Sequence, residues 1–335
     1  MVSRRVFITG ANGFAGRHLI AHLLETFGGE IEIFAAVRPE EAGNPGILPS
    51  AAGWSGRPES NITIVPFELS EAGMVSSAIE RAQPDWIVHL AARASGADTD
   101  REAIMAVNVE GARNVLEAAG SLSPFPRTLV VSTGYVYGNT EPGRPAREED
   151  PIGPLWRLGP YTDSKIEMES VARNYRAFAV VARPFSHTGP GQPPIFAIPA
   201  FARQLARMEA EIVAPILRVG NLSAKRDLLD VRDVVRAYVR LLQEGKTGEV
   251  YNVGLGAPIK IGDVLDRLRA LCSVSTEIEI DPARLRPADI TCSSGDPLRL
   301  WTETNWTPRI PLDTTLADTL NYWRAITADE RACPA

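Results

Sequence analysis

Cysteine is scarce in this chain, with three in 335 residues: Cys272, Cys292 and Cys333. Their odd number and wide scatter exclude a disulfide framework, and no CxxC or Cys/His spacing suggests metal ligation. Histidine is as sparse, with four. His18, His22 and His89 lie singly on helix or strand patterns, so no metal site is expected. No apolar run approaches the ~18 residues of a membrane span. No block of like charge occurs, and 35 basic against 41 acidic residues leave a net −6. That balance argues against nucleic acid or a membrane surface as partner. The chain runs from Met1 into a strand pattern without a basic-then-apolar leader, so a reducing cytoplasm is the expected location. What remains is ordinary globular composition, 44% hydrophobic and 23% charged, long enough for roughly two domains of ~150 residues.

Apolar β-type runs alternate with helical periodicity through the first half. Strands are expected at 6–9, 31–37, 62–67, 86–90, 129–132 and 179–182, and helices at 14–27, 70–81, 101–119 and 161–178. That alternation predicts an α/β fold with a Rossmann-type, doubly wound parallel sheet. The strand runs are continuously apolar, as burial on both faces requires. Pro/Gly-rich stretches at 39–61 and 141–159 read as loops, the second bordering the functional site. Beyond 185, prolines and glycines break the pattern. Helices are then expected at 199–208, 231–243 and 261–271, with strands near Leu217, at 250–253 and, half-exposed, at 277–280. The expected organisation is a first domain over 1–185 and a smaller α/β lobe over 186–335, with some chain crossing back. Trp301 and Trp306 read as packing residues of that lobe.

Gly10-x-x-Gly13-x-x-Gly16 follows the first strand and opens the first helix. The first glycine permits a tight turn, the second a close approach of a pyrophosphate, and the third the packing of helix on strand. The helix N-terminus then offers amide donors and a positive dipole end. The bland alternative is a glycine turn without a ligand. At the end of the second strand the first charge is Arg38, which suits an adenosine 2′-phosphate. NADP(H) is therefore favoured over NAD(H), although Glu40 and Glu41 keep the latter open.

Tyr161 and Lys165 stand one helical turn apart. A tyrosine ordinarily titrates near 10, and a neighbouring ammonium is expected to lower that value and ready it for proton transfer. Lys165 is also within reach of a nicotinamide ribose, and Thr133, ending the fifth strand, is expected to bond the reacting oxygen. A Tyr/Lys pair alone is commonly a solvated face. Its order after the glycine turn and Ser132-Thr133 gives it weight.

With these residues the chain resembles the extended short-chain dehydrogenase/reductase family of nucleotide-sugar enzymes over nearly its whole length. The resemblance implies that Thr133, ahead of Tyr137-Gly138, acts with Tyr161 and Lys165. It implies that Leu90-Ala91-Ala92 lies against the cofactor and that Asn108 steadies the long helix. Asn12, Phe14, Ala15, Leu69, Arg183 and Pro184 complete the expected cofactor shell. Three further motifs look like those of family members acting on GDP-mannose derivatives: Arg183 to Gln192, Arg218 to Asp233, and Leu285-Arg-Pro-Ala-Asp289. They imply Val219 and Asn221 near guanine, Arg226 and Arg286 on the diphosphate, and Asp289 beside them. A surface ion pair is the bland reading of either arginine.

Dehydratases of this group carry a Glu two residues after the threonine, where this chain has Tyr135. Elimination is thus unsupported. The implied activity is NADP(H)-dependent reduction of the C4 ketone of GDP-4-keto-6-deoxymannose to GDP-rhamnose. Related reductases often carry an acid at the Tyr135 position and Asn at that of Ser186, both facing the sugar, and the 6-deoxytalose product stays open. A 4-epimerase and a non-catalytic dinucleotide sensor are the competing readings. His187 reads as a pocket-shaping residue rather than a base. A homodimer through the helices at 101–119 and 161–178 is expected from the resemblance alone.

Overall fold

Val6, Phe7 and Ile8 are fully buried, because the strand they form lies inside a sheet covered on both faces. The computed structural model describes residues 3–42, 61–93, 100–141, 143–153, 159–285 and 290–332. The first half comprises β1 (Arg4–Thr9), α1 (Phe14–Phe27), β2 (Ile31–Val37), β3 (Ile62–Pro66), α2 (Ala72–Ala82) and β4 (Trp86–His89). It continues through α3 (Arg101–Met105), α4 (Gly111–Gly120), β5 (Arg127–Val131), α5 (Pro160–Ala172) and β6 (Ala179–Pro184). The second half holds β7 (Ser186–Thr188), α6 (Ala197–Glu209), β8 (Ile216–Val219), β9 (Lys225–Arg226), β10 (Leu228–Asp230), α7 (Val231–Gln243) and β11 (Val250–Val253). After these come β12 (Ile259–Lys260), α8 (Ile261–Ala270), β13 (Glu277–Ile280), β14 (Cys292–Ser293), α9 (Leu298–Thr304) and α10 (Leu312–Ala332).

The main sheet has seven strands in the order β11-β6-β5-β4-β1-β2-β3, all parallel. It is the Rossmann-type arrangement the alternation predicts. The order reverses between β1 and β4, so their carboxyl ends open a crevice there. One face packs against α1 and α7 through Leu19, Leu23, Val234 and Tyr238. The other packs against α2, α4 and α5 through Ile79, Val115, Leu116 and Met168. A third core joins α6, α8 and α10 through Phe201, Leu205, Val264, Leu265, Leu316 and Leu320. This lobe stands over the carboxyl ends of the strands. The second half is shared between the two bodies, since α7 packs on the Rossmann face and β11 pairs with β6.

Several expectations are corrected. The helix expected over 101–119 is interrupted by a π turn at Ala106–Glu110, where Asn108 turns inward to bond other elements. The helix expected to 178 stops at Ala172 and tightens into a 3₁₀ turn at Arg173–Tyr175. Trp306 is fully buried in the core under α7, and its indole N–H donates to the Asp233 carbonyl at 3.1 Å. Trp301 packs against the same core, so both belong to the Rossmann body rather than the lobe. The strand at Glu277–Ile280 is exposed along its length. Most of the loop at 39–61, and 154–158 of the loop at 141–159, lie outside the described residues.

Candidate active site

The glycine turn is sterically committed. Gly10 has φ +67°, and a Cβ on it would meet the Ala91 backbone at 2.9 Å. A Cβ on Gly16 would lie 2.4 Å from the Gly10 carbonyl oxygen. Side chains are excluded there, so strand, turn and helix close tightly together. Gly13 is the N-cap of helix α1, with no side-chain cap among the described residues, and the helix's first residues line a cavity of about 860 Å³. Amides that no side chain caps, on a turn no Cβ can enter, fit the pyrophosphate of a dinucleotide.

At the next strand end, Thr133 caps a 3₁₀ turn (Gly134–Tyr137), and its Oγ1 accepts the Tyr135 N–H at 3.3 Å. Thr133 shares the cavity wall with the Tyr161 phenol, close enough to act on its ionisation. Burial, reinforced by nearby Tyr135, pushes the Tyr161 phenol up to about 12, and Thr133 opposes the rise. The expected lowering by Lys165 is corrected. The Lys165 ammonium donates to the Val131 carbonyl at 2.8 Å and lies 3.7 Å from the Met168 sulfur. Burial lowers its own value to about 8, against the pull of Glu169. Both groups line the cavity. In this pocket the tyrosine is held protonated, the form a proton donor needs.

Helix α5, which carries Tyr161 and Lys165, is tied down from two sides. Asn108, fully buried in the π turn, donates to the Ser164 hydroxyl at 2.8 Å. Ser164 in turn donates to the Tyr161 carbonyl at 2.7 Å. Asn108 also accepts the Arg93 N–H at 2.8 Å. Asn108 thus links the interrupted long helix to α5, and the π turn is what lets its side chain reach. On the other side, Glu169 accepts two parallel bonds from Arg183 at 2.9 and 2.7 Å and one from Ser132.

Among the remaining expected residues, Phe14, Ala15, Leu90, Ala92, Pro184, Tyr135, Ser186, His187, Asn221 and Arg226 line the cavity. Arg183 does not. Its guanidinium also bonds the Tyr137 hydroxyl at 2.6 Å, and these buried partners hold it in the scaffold. Leu69 packs beneath Gly111, where an added Cβ would meet it at 2.4 Å. Ala91 backs Gly10, Asn12 bonds Glu41, and Arg38 pairs with Glu40 and Glu41. Val219 is fully buried in the lobe core, while its successors Gly220 and Asn221 reach the cavity. Arg286 and Asp289 lie outside the described residues.

The Tyr135 hydroxyl shares a 3.2 Å hydrogen bond with Ser186. The Arg226 guanidinium stands 6.0 Å from the Tyr135 ring centre and donates to the Ile290 carbonyl at 2.6 Å. His187 donates from Nδ1 to the Phe185 carbonyl at 3.0 Å and stacks on Phe14, with ring centres 6.1 Å apart. Burial lowers its pKa, so it is a neutral wall. Sequence reasoning missed Tyr238 on α7, Gln192, Phe196, Phe201 and Arg284, all of which line the cavity. They come from α7, from the β7–α6 connection with α6, and from the turn after β13, with no shared spacing, so only the assembled fold brings them together.

A Rossmann-type sheet whose glycine turn shares a cavity with this Thr/Tyr/Lys set defines an extended short-chain oxidoreductase. The chain belongs to the NAD dependent epimerase/dehydratase family, whose model matches residues 6–254. It is similar to the GDP-6-deoxy-D-mannose reductase of Pseudomonas aeruginosa, at 33% identity over 98% of this chain and 100% of the relative. It is 26% identical to the GDP-6-deoxy-D-talose 4-dehydrogenase of Aggregatibacter actinomycetemcomitans, over 88% of this chain and 90% of the relative. The solved structure of RMD from Pseudomonas aeruginosa complexed with NADPH superposes with a TM-score of 0.78 at 31% identity, covering 97% of this chain and 100% of that one.

Proposed function

We propose that this protein reduces the C4 ketone of GDP-4-keto-6-deoxy-D-mannose, forming GDP-D-rhamnose, with NADP(H) as the favoured cofactor and NAD(H) as the alternative. The observation that carries the reading is that Thr133, Tyr161 and Lys165 line one cavity with the glycine turn, with no Asp or Glu among the described lining residues. Proton donation needs the phenol, whereas elimination needs a carboxylate that this wall lacks. The similarity to a GDP-6-deoxy-D-mannose reductase supports the substrate class.

The Gly10–Gly16 turn, Arg38, Leu90 and Ala92 would hold the dinucleotide, which when bound supplies the hydride. Thr133 orients the ketone oxygen. Tyr161 gives that oxygen its proton, and a phenol near 12 is still far more acidic than an alcohol, whose value lies near that of water at ~15.7. Lys165, from the same wall, adds positive charge beside the forming alkoxide. Tyr135 and Ser186 face the sugar. Asn221 serves the base, with Arg226 and Arg284 on the diphosphate as forked cations. Free Cys272 and Cys292 suit the reducing cytoplasm. A homodimer through the helices around Asn108 and Tyr161 belongs to the same proposal.

The test mixes pure protein with enzymatically prepared GDP-4-keto-6-deoxy-D-mannose and either NADPH or NADH. Loss of the reduced-cofactor absorbance is expected, faster with NADPH, with the rhamno configuration at C4 by NMR. A talo product would reassign the stereochemistry, and no oxidation of either cofactor would remove the activity.

A further inference from the structure

Glu41 bridges the two loops that frame the adenosine end of the cofactor site. One carboxylate oxygen accepts the Asn12 side-chain N–H at 2.7 Å from the glycine turn. The other accepts from the Arg38 guanidinium just past β2. Arg38 also meets Glu40 at 3.1 Å, and the charge of Glu68 acts on it as well. One cation is therefore set among three carboxylates, and its side chain is 63% exposed against 27% for Glu41. Strand pairing of Thr9 with Ala36 fixes this cluster beside the turn. In dinucleotide folds the ribose 2′ position lies beside the residue that follows the second strand. A phosphate there seeks a forked guanidinium, the group Glu41 already engages. Exposed ion pairs are weak and exchangeable.

Resting on the dinucleotide reading of the turn, we propose that Glu41 is a selectivity latch: its carboxylate holds Arg38 and Asn12 in the place a 2′-phosphate would take, must be displaced by it, and so sets the ratio of NADP(H) to NAD(H) binding. An incoming 2′-phosphate exchanges one anionic partner of Arg38 for another, and the displaced carboxylate turns to water. A 2′-hydroxyl needs no such exchange.

Binding of NADP⁺, NAD⁺ and 2′,5′-ADP to the wild-type chain, Glu41→Gln, Glu41→Ala, Arg38→Ala and the double variant Arg38→Ala/Glu41→Gln is measured by calorimetry. Glu41→Gln is expected to tighten NADP⁺ and 2′,5′-ADP about threefold to tenfold and to leave NAD⁺ within about twofold. Arg38→Ala is expected to weaken only the phosphorylated ligands, and the double variant to lose the gain. An unchanged NADP⁺/NAD⁺ ratio in both Glu41 variants overturns the latch while the dinucleotide reading stands. Weaker NAD⁺ binding in those variants also overturns it, by making Glu41 a ribose ligand. Failure of the wild-type chain to bind either dinucleotide overturns both.

Discussion

Thr133 and Tyr161 face the same cavity, and the Thr133 hydroxyl accepts the Tyr135 amide proton at 3.3 Å, so the end of β5 and the start of α5 meet on one wall. Tyr161→Phe keeps the ring and removes the proton, so ketone reduction is expected to fall by about 10²–10⁴ with cofactor affinity retained. Thr133→Val is expected to cost about tenfold in kcat, with recovery in Thr133→Ser. Steady-state kinetics and a cofactor titration check both. Undiminished turnover in Tyr161→Phe would take the proton-donor role from Tyr161.

The pH dependence is expected to belong to Lys165 rather than Tyr161. Burial sets the ammonium at about 8 and the phenol at about 12. Below pH 8 both carry their protons. As pH rises through about 8, Lys165 loses its charge while Tyr161 keeps its proton. Reductive kcat/KM is expected to be level below that value and to fall above it. Lys165→Arg, whose guanidinium does not titrate in this range, is expected to remove the descending limb. A limb that persists in that variant would assign the ionisation elsewhere. Stability moves the other way: between about 8 and the ordinary lysine value of ~10.4 the unfolded chain binds the extra proton, so this residue makes the fold more stable as pH rises.

How legible the molecule is in its sequence depends on how local each signal is. The glycine turn and the Tyr/Lys pair come to one cavity, and their spacing is legible because their geometry is set within a few residues. Arg183, Leu69 and Val219 are misread because the facing of a side chain at a strand end follows from what packs there. Arg183 finds Glu169 on α5, Leu69 finds Gly111, and Val219 finds the lobe core. Helices α9 and α10 lie outside the expected set, although Leu312, Leu316 and Leu320 recur at helical spacing in α10. Tyr238 sits on a helix whose periodicity marks it as core, and only the approach of α7 to β5 makes it a cavity wall. The fall of the Lys165 value by burial has no sequence signature at all.

Tyr135 and Ser186 share a hydrogen bond on the cavity wall, on the side that the proposed function gives to the sugar. Tyr135→Phe and Ser186→Ala are each expected to raise KM for the nucleotide sugar about threefold to tenfold, with the cofactor KM unchanged. The wild-type chain with GDP-mannose and NADP⁺ is expected to form no 4-keto-6-deoxy sugar. Appearance of that ketone by NMR would mean that elimination proceeds without a carboxylate at position 135, and reduction would no longer be the favoured chemistry.

His89 supplies an acid-stability prediction. It is buried, its Nδ1 pairs with the Thr9 hydroxyl at 2.9 Å, and Nε2 has no partner among the described residues. Burial, with the Lys165 charge nearby, lowers its pKa to about 3. Its ordinary value is ~6.5. Below 6.5 the unfolded chain takes up a proton that the folded chain refuses, so stability falls with pH until about 3. The slope from this group is at most about 1.4 kcal/mol per pH unit. His18 and His187, also lowered by burial, act in the same direction. Urea unfolding at pH 7.5, 6.0 and 5.0 is expected to lose less stability on acidification in His89→Asn, which keeps a polar partner for Thr9, than in the wild-type chain. Equal slopes would mean that His89 does not contribute to the acid loss of stability.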